Sequence, residues 1–458
     1  MTEQVKLAVE SQKLFFNTHK TKEIDFRLSQ LKRLRSAILA YEERLYEALW
    51  KDLHKSKFEA YGTEIGLVLA EINSHIRNLR KWSKPRYVCT NQMIHFWSTS
   101  RIFKEPYGRV LIIAPWNYPF QLLIKPLVGA ISAGNCVVLK SSVYSPKTAA
   151  VMAQMIREYF APEYITMFDG GREMNTALLA QPWDYIFFTG SSEVGKVVLE
   201  AASKHLTPVS LELGGKSPCI VDQDANLKVA ASRIVWGKYL NAGQTCIAPD
   251  YLFVHRKVKD ELMRLMKQKI IEYFGENPKD SPDFVHIATK AKTEKLAAYL
   301  KGAHLVAGGE VDADACYMAP TIIDGVKTDD PIMQEEIFGP ILPVLEFDNL
   351  NDVINYVNAH EKPLALYYFS KSSSKQSEVL GKTSSGGGCI NEVVMHNAND
   401  NLPFGGVGYS GMGQYHGKFS FDVFSHSRSI MKKSNFIDIP ARYAPYKNKI
   451  RLLKMLIR

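Results

Sequence analysis

Of the six cysteines, at positions 89, 136, 219, 246, 316 and 389, one stands in surroundings suited to a reactive thiol. Cys246 sits in NAGQTCIAPD among small and polar residues, whereas Cys136 (NCVVLK) and Cys219 (SPCIVD) lie in apolar, strand-like runs that suit inert core positions. A nucleophilic thiol must be reachable and ionisable, which a loop rich in Gly and Thr permits; the competing reading of any cysteine is a small core residue. Glu212, in LELGGKSP, is an acid between leucines followed by two glycines. A partly buried carboxylate with a raised pKa suits a general base near neutral pH, and a solvated glutamate is the alternative. Asn117, in PWNYP, follows the apolar run Val110 to Ala114. Its amide could hold an oxyanion, which a thiol attacking a carbonyl requires, or it could serve a turn.

Two glycine-rich segments could cradle a phosphate. In YIFFTGSSEVGKVVLEAA a strand runs through Gly190 directly into a helix containing Gly195. Backbone N–H groups and the helix dipole would favour an anion there, although an ordinary strand-to-helix turn explains the same pattern. The run GGVGYSGMG sets Gly406, Gly408 and Gly411 at GxGxxG spacing, but no strand precedes it and no clear helix follows. It reads as a turn or an active-site loop.

Positioning these residues requires a scaffold, and the hydrophobic pattern supplies one. Residues 24 to 84 carry apolar positions at helical spacing, as in Leu31, Leu34, Ile38, Leu45 and Leu49. Between Met93 and Lys104, β-branched and aromatic residues broken by polar ones predict an extended arm or hairpin whose edges need a partner. From Gly108 short apolar runs alternate with amphipathic stretches. They are Val110 to Ala114, a helix near Gln121 to Ser132, Cys136 to Lys140, a helix over Lys147 to Tyr159, Tyr164 to Phe168, a helix near Met174 to Ala180, Tyr185 to Phe188, and a helix from about Ser192 to Lys204. That βαβ alternation predicts a parallel, nucleotide-binding sheet over residues 108 to 210. A second α/β region runs from Val209 to about Met395, with strands at Pro218 to Val221, Tyr251 to His255, Ile341 to Phe347 and Ala365 to Phe369. Aromatic-rich residues 415 to 430 could return to pair with the early arm.

The 458 residues are 46% hydrophobic, 23% charged and 11% aromatic, which is ordinary for a core-forming protein and excludes disordered and collagen-like classes. No stretch supplies the roughly 20 apolar residues of a membrane span, and Met1 to Glu10 contains no secretory apolar run, so a cytoplasmic location is expected. The cysteines are far apart, with no CxxC pair or Cys/His cluster, and predict free thiols without a metal site. The net charge of +10 is concentrated at one end: eight basic residues from Lys432 onward face one acid, Asp438. With the body nearly neutral, nucleic acid is not an expected partner. In the tail Lys447, Arg451, Lys454 and Arg458 share one helical face, while Ile450, Leu452, Leu453, Leu456 and Ile457 fill much of the other. A short amphipathic helix there could lie on an anionic membrane surface or pack over the protein's own substrate entrance.

Seven motifs, PWNYP, FFTGSSEVGK, LELGGKSP, GQTCIAPDY, MQEEIFGP, LPFGGVGYSGMG and YHGKFSFDVFSH, occur in an order that resembles the aldehyde dehydrogenase superfamily, most closely the class-3 type that oxidises aromatic and fatty aldehydes. The similarity extends over residues 10 to 430. It implies an α/β fold with a Rossmann-type NAD(P)-binding domain (residues 1–84 and 107–210), an α/β catalytic domain (211–398) and a β-strand oligomerisation arm (85–106 and 415–435), followed by the basic amphipathic tail (436–458). The implied reaction is NAD(P)-dependent oxidation of an aldehyde to a carboxylic acid. Cys246 matches the nucleophile, Asn117 with the Cys246 backbone N–H the oxyanion site, and Glu212 the general base. Glu336 and Phe338 match residues that hold the nicotinamide ribose and ring, and the Glu336 position is a rival candidate for the base.

Ile113 and Trp116 match walls of the cofactor site, Lys140 the adenosine-ribose lysine, and Gly190, Ser191 and Gly195 the pyrophosphate turn. Where many members read KPSE, this chain reads Lys140-Ser141-Ser142-Val143. Without an acid to bind a ribose 2′-hydroxyl and repel a 2′-phosphate, Val143 predicts use of NADP as well as NAD. The resemblance further implies a homodimer built through the arm. Passing the thioester to coenzyme A or another acyl acceptor is the alternative chemistry, against which the Glu212 match favours hydrolysis. An inert binding protein is disfavoured, since every core chemical position is filled. Long aliphatic and aromatic aldehydes both fit, with Tyr61, Tyr118 and the tail as candidate tunnel walls.

Overall fold

A parallel sheet needs strands that are apolar on both faces and crossovers long enough to carry helices. Cys136–Lys140 and Tyr185–Thr189 are buried at every residue and lie inside such a sheet. The computed structural model describes residues 2–438 and 440–456. Its first sheet has the order Val209–Glu212, Tyr185–Thr189, Arg109–Ile113, Cys136–Lys140, Ile165–Phe168, all parallel. Gly411–Met412 adds an antiparallel edge beside Val209–Glu212, so the GGVGYSGMG run is a turn against a strand end. The crossover helices Gln121–Ala133, Pro146–Tyr159, Arg172–Leu179 and Ser192–Ser203 lie within a few residues of the predicted ones.

The helical opening differs from the predicted continuous stretch. Helix Ile24–Leu53 ends at His54 in a left-handed conformation, and a short helix Lys57–Ala60 and a π-helical turn Tyr61–Ile65 precede helix Gly66–Trp82. Lys55 in the break forms a buried ion pair with Glu64, with Nζ 2.6 Å from Oε1. An unpredicted helix, Thr2–Asn17, packs Val5 and Val9 with Leu111, Val138 and Trp183. Its Gln12 Nε2 donates to the Val137 carbonyl at 2.9 Å.

The second sheet has the order His304–Ala307, Thr321–Asp324, Ile341–Phe347, Tyr251–His255, Pro218–Val221, Ala365–Phe369, Gly387–Ile390, parallel except at His304–Ala307. A third sheet pairs Ser98–Pro106 with Arg86–Val88 and, over nine residues from Ser425 opposite Pro106 to Lys433 opposite Ser98, with Ser425–Lys433. The returning segment becomes a strand only at Ser425. Gly417–Val423 is a helix whose Ser420 packs on Gln121–Ala133 at Gly129, where a Cβ would stand 2.8 Å from the Ser420 Cβ.

In the tail, helix Ile450–Leu456 is shorter than expected, because Asn448 takes a left-handed conformation and leaves Lys447 outside it. Ile457 and Arg458 of the expected amphipathic face, with the side chains of Leu452 and Leu456, lie outside the described residues. Ile450, Leu453 and Met455 are exposed. No helix among the described residues is long and apolar enough to cross a membrane.

Candidate active site

Open parallel sheets leave a crevice at the carboxyl ends of their strands. Here Asn117 follows Arg109–Ile113, Gly190 follows Tyr185–Thr189, and Glu212 ends its own strand. They border a cavity of about 710 Å³ together with Trp116, Ser191, Cys246, Glu336 and Phe338. A second cavity of about 160 Å³ is walled by Tyr118, Trp236, Ile247, Val394, Phe404 and Tyr415 among others. Cys246, Glu212, Thr189 and Leu122 border both, so a thiol and a carboxylate stand where a larger cleft meets a small apolar chamber. Of the candidate tunnel residues, Tyr118 lines the chamber; Tyr61 does not, though its neighbours Gly62 and Thr63 do, and no described tail residue lines either cavity.

Cys246 is carried by a tightly bonded loop. Asn117 donates through Nδ2 to the Gln244 carbonyl at 2.9 Å, and the Asn117 carbonyl accepts from Asn241 Nδ2 at 2.9 Å. The amide's second N–H is the group that could meet a substrate oxygen. Tyr118 Oη and Thr245 Oγ1 share a hydrogen bond at 2.6 Å, which fixes the residue next to the thiol. Burial pushes the thiol up from its ordinary value, and the charges of Glu336 and Glu212 push it further. The thiol is therefore protonated at neutral pH in the ligand-free site, and its attack on a carbonyl calls for a proton acceptor.

Two carboxylates could serve. Glu212 is 2% exposed, neither of its oxygens has a hydrogen-bond partner, and burial alone raises it well above the usual carboxylate range. Once ionised, an unpaired carboxylate of this kind is a stronger base than a solvated one, which suits proton transfer near neutral pH. Glu336 is pushed up to about 8, first by burial and then by the charge of Asp250. Its Oε2 occupies space that only a glycine leaves free, since a Cβ on Gly214 would fall 2.1 Å from it.

The larger cleft suits a dinucleotide. Helix Ser192–Ser203 opens onto it with Ser191 as its cap, presenting backbone N–H groups and the positive dipole end to an anion. Gly195 lets that helix approach Leu213, whose Cδ2 would be 2.8 Å from a Cβ. Phe338, left-handed at φ 50°, meets Trp116 edge-to-face at 5.6 Å. Thr189 Oγ1 is buried without a partner at the junction. These features fit NAD or NADP. Ile113, Lys140, Val143 and Gly195 are not on the cleft wall. Lys140 ends its strand with Nζ turned back to the Ser141 carbonyl, and burial lowers it to about 8, while Val143 is half-exposed in the following loop.

Lys216 and Asp250 escape motif reading. Lys216 Nζ pairs with Asp250 and donates to the Ile332 and Glu335 carbonyls at 3.0 and 2.9 Å, while Asp250 Oδ1 accepts the Ile337 N–H at 2.9 Å. Together they fasten the EEIFGP loop on both sides of Glu336. Their signal in the sequence is a lysine after the two glycines of LELGGKSP and a single acid in CIAPDY.

The profile described as the aldehyde dehydrogenase family matches residues 1–430. The chain is 48% identical over 448 residues to the 4,4′-diaponeurosporen-aldehyde dehydrogenase of Staphylococcus aureus, covering 97% of each chain. It is 45% identical to mouse aldehyde dehydrogenase family 3 member B1, covering 95% of this chain and 93% of that one. The solved substrate-bound state of Staphylococcus aureus AldH superposes with a TM-score of 0.97 at 47% identity, covering 99% of each chain.

Proposed function

The chain belongs to the aldehyde dehydrogenase family, as an NAD(P)-dependent enzyme, and on that premise we propose that it oxidises long-chain aliphatic or aromatic aldehydes to carboxylic acids through a thioester on Cys246. The observation that carries this reading is the position of Cys246 and Glu212 at the junction of the two cavities. The apolar chamber takes the acyl portion and brings the carbonyl carbon to the thiol. The Cys246 thiol gives its proton to the neighbouring Glu336 carboxylate as its sulfur adds to that carbon, and the Asn117 amide with the Cys246 backbone N–H holds the oxyanion of the thiohemiacetal. When bound, NAD or NADP supplies the hydride acceptor. Trp116, Gly190, Ser191, Glu336 and Phe338 would hold it from the cleft, with Ile113, Lys140, Val143 and Gly195 supporting its adenosine end and the helix start. Glu212 then takes a proton from the water that hydrolyses the thioester.

Val143 supports use of both cofactors, since no acid stands there to repel a 2′-phosphate. The exposed Ile430 and Met431 on strand Ser425–Lys433 support a homodimer through the arm. Sedimentation at micromolar concentration should show the dimer, and a lone monomer would contradict it. Exposed Ile450, Leu453 and Met455 beside Arg451 and Lys454 support peripheral contact with an anionic membrane. Deleting residues 446–458 should then reduce liposome partitioning, and unchanged partitioning would end that reading.

The reaction itself is tested by following reduced nicotinamide with a graded aliphatic series and benzaldehyde, with NAD and NADP in parallel. Turnover that disappears in Cys246→Ala is expected. Turnover only with coenzyme A present would favour acyl transfer, and undiminished turnover in the variant would remove Cys246 from the reaction.

A further inference from the structure

The turn that delivers Cys246 is strained. Asn241, Ala242 and Gly243 all lie in the left-handed region, at φ 53°, 52° and 71°. Two consecutive non-glycine residues there are held against their steric preference, and all three are buried, so surrounding structure must impose the conformation. Gly243 abuts the EEIFGP loop, since a Cβ on it would lie 2.3 Å from the Gly339 carbonyl oxygen. The turn thus sits between the thiol, the Asn117 amide and the Glu336 loop.

Several bonds that hold this turn involve residues of the site itself. Asn241 Nδ2 donates to the Asn117 and Gln244 carbonyls, and Gln244 Nε2 returns to the Asn241 carbonyl at 3.1 Å. A further bond reaches the turn from the opening helical region. The backbone N–H of Asn241, at the start of the strained triplet, donates to Glu59 Oε1 at 2.9 Å. Glu59 belongs to the short helix Lys57–Ala60, directly before the π-helical turn whose Gly62 and Thr63 line the apolar chamber. Lys55, Glu64 and Asp283 are the charged groups that act on its carboxylate, and Tyr118 feels its charge in turn.

We propose that Glu59 is a positioning residue, whose carboxylate clamps the left-handed turn 241–243 and thereby sets Cys246 and the Asn117 amide in reacting geometry. The clamp deepens the function proposed above and rests on Cys246 being the nucleophile. It also joins the wall of the acyl chamber to the catalytic loop, so that one side chain relates the place where substrate packs to the thiol it must meet. Small displacements of reacting groups are costly in rate, which is why a remote acceptor can matter.

The test uses the full-length protein, with kcat and KM for hexanal and NAD, and the alkylation rate of Cys246 by iodoacetamide followed by peptide mass spectrometry. Glu59→Ala is expected to lower kcat by about 10- to 100-fold, with the cofactor KM within about twofold. The Cys246 alkylation rate should change with it. Glu59→Gln, which keeps an acceptor oxygen, should stay within about threefold of the unsubstituted enzyme. Replacing Ala242 by glycine in the Glu59→Ala background should recover about tenfold of kcat, because glycine adopts the left-handed turn without restraint. A folded Glu59→Ala protein with unchanged kcat and alkylation rate would overturn the proposal, as would failure of the glycine to restore activity. Should Glu59→Ala not fold, Glu59→Gln still decides, since a loss in it as large as that of Cys246→Ala would overturn the proposal. If the unsubstituted enzyme oxidised no aldehyde, the functional reading would fail while the alkylation rates still judged the clamp.

Discussion

Glu336→Gln replaces a carboxyl held at about 8 by a neutral amide of nearly the same shape. Burial is the main cause of the elevation and the charge of Asp250 the second, while a hydrogen bond from the Gly215 backbone opposes them. In the unfolded chain the same carboxyl titrates near 4.5. Between those two values the folded protein holds a proton that the unfolded chain has released. The stability this contributes is fully present below pH 4.5 and is lost as pH rises toward 8. The gap corresponds to at most about 5 kcal/mol. The amide cannot ionise and has no such loss, and its carbonyl can still accept from Gly215. Urea unfolding of the cofactor-free proteins from pH 5 to 9 should give nearly equal stabilities at pH 5. At pH 9 the variant should be the more stable by up to about 5 kcal/mol. Stability curves that run parallel across this range would refute the assignment of a Glu336 carboxyl raised by burial.

Val143→Glu should lower the NADP to NAD ratio of catalytic efficiencies at least about tenfold by restoring the repelling acid. The unsubstituted ratio should exceed about 0.01, or 2.7 kcal/mol, and a smaller ratio would remove the Val143 explanation. Gly411→Ala should cost at least about 2 kcal/mol in thermal unfolding, because φ is 143° and a Cβ would stand 2.2 Å from the Leu211 carbonyl oxygen. A wild-type midpoint would contradict that packing. Lys216→Met should raise the KM for cofactor about tenfold or more by freeing the EEIFGP loop, with the Cys246 alkylation rate unchanged. An unaltered KM would show that the loop holds its place without the Lys216–Asp250 pair.

Much of the site is legible in the sequence because its chemistry forces unusual neighbours. Cys246 sits in a run of small and polar residues, NAGQTCIAPD, where the inert Cys136 and Cys219 sit in apolar strand-like runs, and Glu212 interrupts leucines. The parallel strands read clearly, since burial on both faces leaves continuous apolar runs such as CVVLK. Gly387–Ile390 does not read as a strand, because its two glycines mask the pattern at a sheet edge. Helix Thr2–Asn17 escapes because only Val5, Val9 and Gln12 are buried, too weak a stripe to stand out. Tertiary bonding hides the remainder. Nothing local marks Glu59 as the partner of Asn241, 182 positions away, or shows that Lys216 and Asp250 fasten one loop. Val394, β-branched and left-handed at φ 63° on the wall of the acyl chamber, is likewise visible only in the folded chain.

The division of labour between Cys246 and Glu212 is tested most directly by rapid mixing of Glu212→Gln with an aldehyde and NAD, followed by mass spectrometry of the quenched protein. The expected result is a burst of reduced nicotinamide of about one equivalent per active site, an acyl mass on Cys246, and steady turnover at least about 100-fold below the unsubstituted enzyme. Undiminished steady turnover, or a burst with no acyl group on Cys246, would contradict it.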